Sequence, residues 1–146
     1  MIFWRISRFQ DLRGAGGLKA PGRWHFAGQP VVYLAEHPAA ALLEVCAHTA
    51  ANDVPPEFTL LRVVGPTIKV DEIKLSQLPH AWQQSPELTQ KLGTEWLRKG
   101  EAVLLRVPSA IVPETSNYLF NPAHRSAKRF RITATYAYPF DVRLKR

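Results

Sequence analysis

The feature that most constrains this chain is the stretch Gly14-Ala15-Gly16-Gly17-Leu18-Lys19-Ala20-Pro21-Gly22-Arg23-Trp24. It holds four of the chain's eight glycines. With no Cβ, glycine lets a backbone adopt positive φ and approach a ligand closely, so the stretch reads as a loop. Arg23 near its end offers a forked, permanent charge suited to phosphate or carboxylate. A strand follows around residues 31–34. Next comes a helix expected over 37–49, with Pro38 in its first turn, where a missing N–H costs little. Arginine, Tyr33 and Glu44 on successive elements outline a nucleotide-handling site.

Composition narrows the setting. A chain of 146 residues, 46% apolar, fits one globular domain with a single core, taken as residues 1–146. There is no apolar run near bilayer-spanning length, and the first residues lack the sections of a signal peptide. The chain is therefore expected to be soluble and cytoplasmic, with no membrane partner. A single cysteine, Cys46, excludes an intrachain disulfide and a cysteine-based zinc cluster. Of the net charge of +7, residues 123–146 carry +6, with seven Lys or Arg against Asp141 alone. Such a region can meet nucleic acid, an acidic protein or a phosphate-bearing ligand, or simply be a solvated face. No nucleic-acid motif accompanies it. The aromatics there, Phe130, Tyr136, Tyr138 and Phe140, are spaced for a strand with a buried face.

Elsewhere, strands are predicted at 1–7, 58–64, 67–70, 102–107, 117–120 and 130–138. A helix is predicted over 88–99, closed by Gly100, and short helical turns near 9–12 and 124–128. Residues 78–86 read as irregular. Strands and helices mix without βαβ alternation, which makes the fold class α+β.

On the helix over 37–49, a wheel at 100° per residue puts Leu42, Leu43, Val45 and Cys46 on the core side. Glu44 then lies opposite, beside Ala40, Ala47 and His48. An alanine face leaves room for a ligand, although a solvated carboxylate is the ordinary reading. Arg5 alone reads as an edge-strand arginine, Tyr33 as a core or cross-strand tyrosine, and Ser109 as a turn residue. Trp24 reads as a loop anchor and His48 not as a metal ligand. The glycine pattern is neither a Walker A loop nor a Rossmann fingerprint. Each residue taken singly has an ordinary structural reading.

Taken in order, Trp4-Arg5-Ile6, Gly22-Arg23-Trp24, Val31-Val32-Tyr33, Leu42-Leu43-Glu44-Val45, Val107-Pro108-Ser109-Ala110 and Asn117-Tyr118-Leu119-Phe120-Asn121-Pro122 resemble the RES-domain toxins, from Trp4 to about Pro122. That resemblance implies an ADP-ribosyltransferase-like fold, a split mixed sheet with flanking helices around an NAD cleft. It implies a toxin of a type II toxin–antitoxin pair that consumes NAD as substrate. The nicotinamide–ribose bond is broken by phosphorolysis with inorganic phosphate, or by hydrolysis; some members instead ADP-ribosylate a protein. Carried over, the catalytic residues are Glu44, Arg23 and Tyr33, and the dinucleotide-binding residues Arg5, Arg23, Tyr33, Ser109 and Asn121. No metal is required. The implied partner is an Xre-like antitoxin, through which any contact with nucleic acid is expected to run. A rival from another class is a small basic nucleic-acid-binding protein using the C-terminal arginines. The chain departs from the family at Pro21 and His25, since Gly-Gly-Arg-Trp-Asn is the usual pattern. This puts the asparagine contact in doubt.

Overall fold

In a computed structural model, residues 1–145 are described. Strands β1 (Ile2–Ile6), β2 (Val32–Ala35), β3 (Glu57–Val64), β4 (Asp71–Glu72), β5 (Leu104–Pro108), β6 (Ser116–Phe120) and β7 (Arg131–Pro139) form one sheet in the order β4-β5-β6-β2-β1-β3-β7. The short β4 runs parallel to β5, and the other pairings are antiparallel, so the sheet is mixed. Helices α1 (Ala15–Lys19), α2 (Pro38–His48) and α3 (Pro86–Lys99) flank it, which makes the molecule an α+β domain. Among the described residues no helix is long and apolar enough to cross a membrane.

The sheet narrows in its middle. β1 pairs with β3 from Ile2 to Ile6, and β2 pairs with β6 from Val32 to Ala35. Between β1 and β2 the register contains one partnership, Trp4 with Ala35. The two halves splay apart there, and the split opens the cleft described below.

Alternation along the strands sorts side chains onto two buried faces. Phe3, Val32, Leu34, Leu104, Phe120 and Phe130 form one cluster. Trp24, Val31, Leu105, Val107 and Leu119 pack on the other side with Trp82 and Leu97 of the α3 region. By the same period, Tyr33, Ser109 and Asn117 belong with this second face. Gly100 closes α3 in the left-handed region at φ 61°, as its sequence position predicts.

Three local expectations are corrected. Residues 67–70 form no strand. The ladder with β5 begins only at Asp71, opposite Leu105, so these residues have no strand beside them. No helix forms at 9–12, because the Asp11 carboxylate accepts the Arg13 backbone N–H at 2.9 Å and makes a local turn, displacing the helix to α1. The late helical turn lies at Ala127–Arg129 rather than 124–128.

Candidate active site

The cleft at the split encloses about 620 Å³, well within the range of small-molecule sites. Arg5, Arg23, Tyr33, Glu44, His48 and Asn117 all line it. Two walls make it up: the arginine loop with the Tyr33 side chain bonded to it on one side, and α2 with Asn117 of β6 on the other.

The loop wall is fixed by hydrogen bonds to its backbone. His25, 2% exposed, places Nε2 3.2 Å from the Gly17 carbonyl, which can only accept. Nε2 therefore carries the proton, and Nδ1 accepts from the Gly22 N–H at 3.1 Å and from the Tyr33 hydroxyl at 2.7 Å. The Tyr33 oxygen in turn accepts the Trp24 N–H at 3.0 Å. Burial disfavours the imidazolium and pushes the His25 pKa below its ordinary value; contacts with the Gly17 and Ala20 backbone oppose this. Burial likewise drives Tyr33 well above the normal phenol range. The Tyr33 hydroxyl is spent on the loop, so Tyr33 presents its ring to the cleft rather than an acid or base.

α3 clamps the same loop from outside. Thr89 donates to the Arg23 carbonyl at 2.6 Å, and Gln90 to that of Gly22 at 3.0 Å. Thr94 accepts the Phe26 N–H at 2.9 Å. Between them, Gly93 lies so close to the loop that a Cβ would stand 1.7 Å from the Trp24 carbonyl oxygen. The grip aims Arg23. One guanidinium N–H donates to the Gln83 carbonyl at 2.5 Å, and the group lies over the Trp82 ring, 5.6 Å from its centroid. Among the described residues the buried Nε–H has no partner. Arg5, on β1, forms no ion pair among the described residues. Desolvation lowers the pKa of both arginines from the guanidinium value, yet both stay charged at neutral pH.

The opposite wall is a carboxylate held by side chains. Glu44 Oε1 accepts from Ser109 Oγ and from Asn117 Nδ2, each at 2.8 Å. Oε2 faces His48 Nε2, one helical turn on, at 3.6 Å, an ion-pair separation rather than a hydrogen bond. Burial alone would raise the Glu44 pKa, but His48, Asn117 and Ser109 outweigh it and hold the carboxyl below its ordinary value. The carboxylate reciprocally raises His48. This wall is ionised at neutral pH and faces cations, an arrangement that can grip an anion at one end and stabilise positive charge at the other.

Several expectations for these residues need revision. Glu44 does not lie away from the sheet: Ala41, Glu44, Val45 and His48, one helical stripe, face the cleft, and Ala47 is exposed. Leu42, Leu43, Val45 and Cys46 spread too far around the helix to define a face. Packing of α2 on β1 and β2 chooses it instead, over the small, buried Ala41. Cys46 is only half-buried. Ser109 is 1% exposed, and its hydroxyl donates to Glu44 and accepts the Ile111 and Val112 N–H groups. It touches the carboxylate, not the cleft. Asn121 is buried away from the cleft, with Oδ1 accepting the Ala123 N–H at 3.1 Å and Nδ2 donating to the Leu97 carbonyl at 3.4 Å. The asparagine of the cleft is Asn117, four positions earlier, which sequence reasoning missed. An asparagine inside Ser116-Asn117-Tyr118-Leu119-Phe120 was the available signal, because strands disfavour it. His48 was also left unassigned, although its spacing from Glu44 permits a contact.

Such a fold, with guanidiniums facing a held carboxylate across a split sheet, defines a small α+β domain with a charged cleft. The RES domain matches residues 2–141. A Toxin Res of Pseudomonas putida is 48% identical over 134 residues, covering 90% of this chain and 92% of that protein. A Prs ADP-ribosylating toxin of Sphingobium sp. is 33% identical over 159 residues, covering 99% and 96%. In fold, the chain is similar to a chain of the M. tuberculosis MbcT–MbcA toxin–antitoxin complex, with a TM-score of 0.71 at 17% identity over 94% of this chain and 84% of that one. The chain belongs to the RES domain family of toxins.

Proposed function

We propose that this protein is the toxin of a bacterial type II toxin–antitoxin pair, and that it cleaves the nicotinamide–ribose bond of NAD in the cytoplasm by phosphorolysis. One observation carries the reading. Among the described residues, two buried side-chain polar atoms lack partners, the donor Arg23 Nε and the acceptor Asn117 Oδ1, and both residues line the same cleft. A buried polar atom calls for a partner, and at a cleft a bound ligand or an ordered water supplies it. A dinucleotide has the needed complement, a pyrophosphate for the arginines and a ribose for the carboxylate wall.

In this reading Arg5 and Arg23 hold the pyrophosphate or the incoming phosphate through charge-assisted bonds. Breaking the C1′–N bond sends its electron pair to the pyridinium nitrogen and releases neutral nicotinamide. Positive charge develops on the ribose, where ionised Glu44 stabilises it. A phosphate oxygen then bonds to C1′, giving an ADP-ribose phosphate ester. Ser109 and His48 keep Glu44 placed and charged, and Tyr33 lends an aromatic wall. A cognate, Xre-like antitoxin keeps the enzyme silent, and inhibition follows if it covers the cleft. The relative named as a Prs ADP-ribosylating toxin favours a second reading, transfer to a protein acceptor through the same bond cleavage. Incubating purified protein with NAD, with and without phosphate, and identifying the products tests both. Free nicotinamide with a phosphorylated ADP-ribose supports phosphorolysis, and intact NAD sinks the proposal.

A further inference from the structure

We infer that Asn117 is a substrate-reading residue: its Oδ1 accepts a hydrogen bond from a hydroxyl of the ribose at the scissile bond, beside the Glu44 carboxylate. The inference rests on the NAD reading above and assigns a specificity determinant within it.

The orientation of the amide is chemically fixed. Glu44 Oε1, 2.8 Å away, can only accept, so the NH₂ end of Asn117 faces it and Oδ1 points elsewhere. Flipping the amide would set two acceptors against each other. Oδ1 is thereby left buried and unpartnered in a residue that lines the cleft. The residue is also held from below. Asn117 lies opposite Ala35 on β2 and Val107 on β5, in a strand paired on both sides, so its Cα has little freedom to move.

What reaches Oδ1 must be a donor. The two phosphates of the NAD pyrophosphate carry no proton at neutral pH and only accept, which excludes them. Glu44 Oε1 is already saturated by Ser109 and Asn117, whereas Oε2 meets only the long His48 contact. Two neighbouring groups, carboxylate and amide, thus each keep an acceptor open. A vicinal diol supplies two hydroxyl donors on adjacent carbons and suits that pair. The carboxylate must stand beside the ribose to act on its developing charge, and Asn117 is bonded directly to it. Asn117 therefore reads the same sugar ring, and the nicotinamide carboxamide is the alternative donor.

The test compares NAD with analogues lacking the 2′- or 3′-hydroxyl of the nicotinamide ribose, in wild type and in Asn117→Ala, with kcat/KM read from nicotinamide release. Wild type should favour NAD over at least one deoxy analogue by about tenfold or more, because a buried polar site rejects a ligand that leaves it unpaired. Asn117→Ala should lose most of that preference. If Asn117 merely positions Glu44, all substrates slow alike and the ratio is unchanged, which overturns the inference while leaving NAD cleavage intact. Should Asn117→Ala lose instead a preference for NAD over its nicotinic acid analogue, the carboxamide is the group read and the inference also fails. If Asn117→Ala does not fold, Asn117→Ser serves, and it should show a weakened preference. Wild type that leaves NAD intact removes the NAD reading and this inference together.

Discussion

The two walls of the cleft are held by opposite means. On the loop wall, polar side chains are consumed by backbone: His25 by Gly17 and Gly22, Tyr33 by Trp24, and Thr89, Gln90 and Thr94 by the loop they clamp. What remains to face the cleft is a guanidinium and an aromatic ring. On the other wall, Glu44, Ser109, Asn117 and His48 bind one another, and open valences remain at Glu44 Oε2 and Asn117 Oδ1. In the proposed reaction the first wall positions groups that bind, and the second holds the group that does chemistry, in the charge state it needs. Mutations on the two walls should therefore fail differently.

The largest effect is expected on the carboxylate wall. Glu44→Gln keeps the size and the acceptor for Ser109 and Asn117 but removes the charge. Turnover of NAD and growth inhibition should fall on the order of 100-fold or more. Thermal unfolding beside a nicotinamide-release assay checks that the protein is still folded.

On the loop wall the first break is in binding. Arg23→Ala should raise KM for NAD more than it lowers kcat. Arg23→Lys, which keeps charge but loses the fork that reaches Gln83 and the buried Nε position, should still be impaired. Steady-state kinetics on both variants decide this. If Arg23 only anchors the loop, both variants lower the melting temperature and leave NAD affinity intact.

Gly93→Ala tests the clamp from a position that does not itself line the cleft. The added methyl meets the Trp24 carbonyl, so α3 and the loop must part. A loss of about 1–3 kcal/mol is expected by denaturant titration, with a KM defect resembling that of the Arg23 variants. A Gly93→Ala protein as stable as wild type would show that the loop wall is soft.

The smallest effect is one of pH, and it has opposite signs on the two walls. His25 is depressed below its ordinary 6.5 in the fold, so the unfolded chain takes up a proton first. Its contribution is full above 6.5 and is lost as pH falls through the lower, folded value. His48 is raised above 6.5, so its contribution is full below 6.5 and is lost as pH rises through the higher, folded value. In melting temperatures measured across pH 5 to 8, His25→Asn should flatten the acid limb and His48→Gln the alkaline one. Flattening of the same limb by both would contradict the assignment of the two walls.

Much of this was legible in the sequence, and the exceptions have physical causes. Pro38 and Gly100 mark their elements locally, because caps depend on neighbouring residues. The glycine stretch reads as a loop, yet residues 15–19 within it are helical and only Gly14 of its four glycines takes positive φ. Ser109 reads singly as a turn residue, although the alternation through Leu105 and Val107 runs on to it and sets it on the face of Tyr33. The wheel sets Glu44 on the wrong side of its helix because Leu42, Leu43, Val45 and Cys46 spread around it without a stripe, and only the packing of α2 on β1 and β2 selects one. Asn121 stood in for Asn117 because both sit in one short segment, and strand pairing, invisible in sequence, decides which faces the cleft. The polar inner face of α3, Thr89, Gly93 and Thr94, was unreadable for a similar reason. Its partners are backbone atoms of a loop some 66–68 residues distant.

The account's central claim is that the loop wall binds NAD and the carboxylate wall cleaves it. The most direct measurement is calorimetric titration of NAD into Glu44→Gln, followed by recovery of the bound dinucleotide. The prediction is binding within a few-fold of the wild-type KM, with the NAD recovered intact. Loss of binding, or nicotinamide released at the wild-type rate, would contradict the division of labour between the walls.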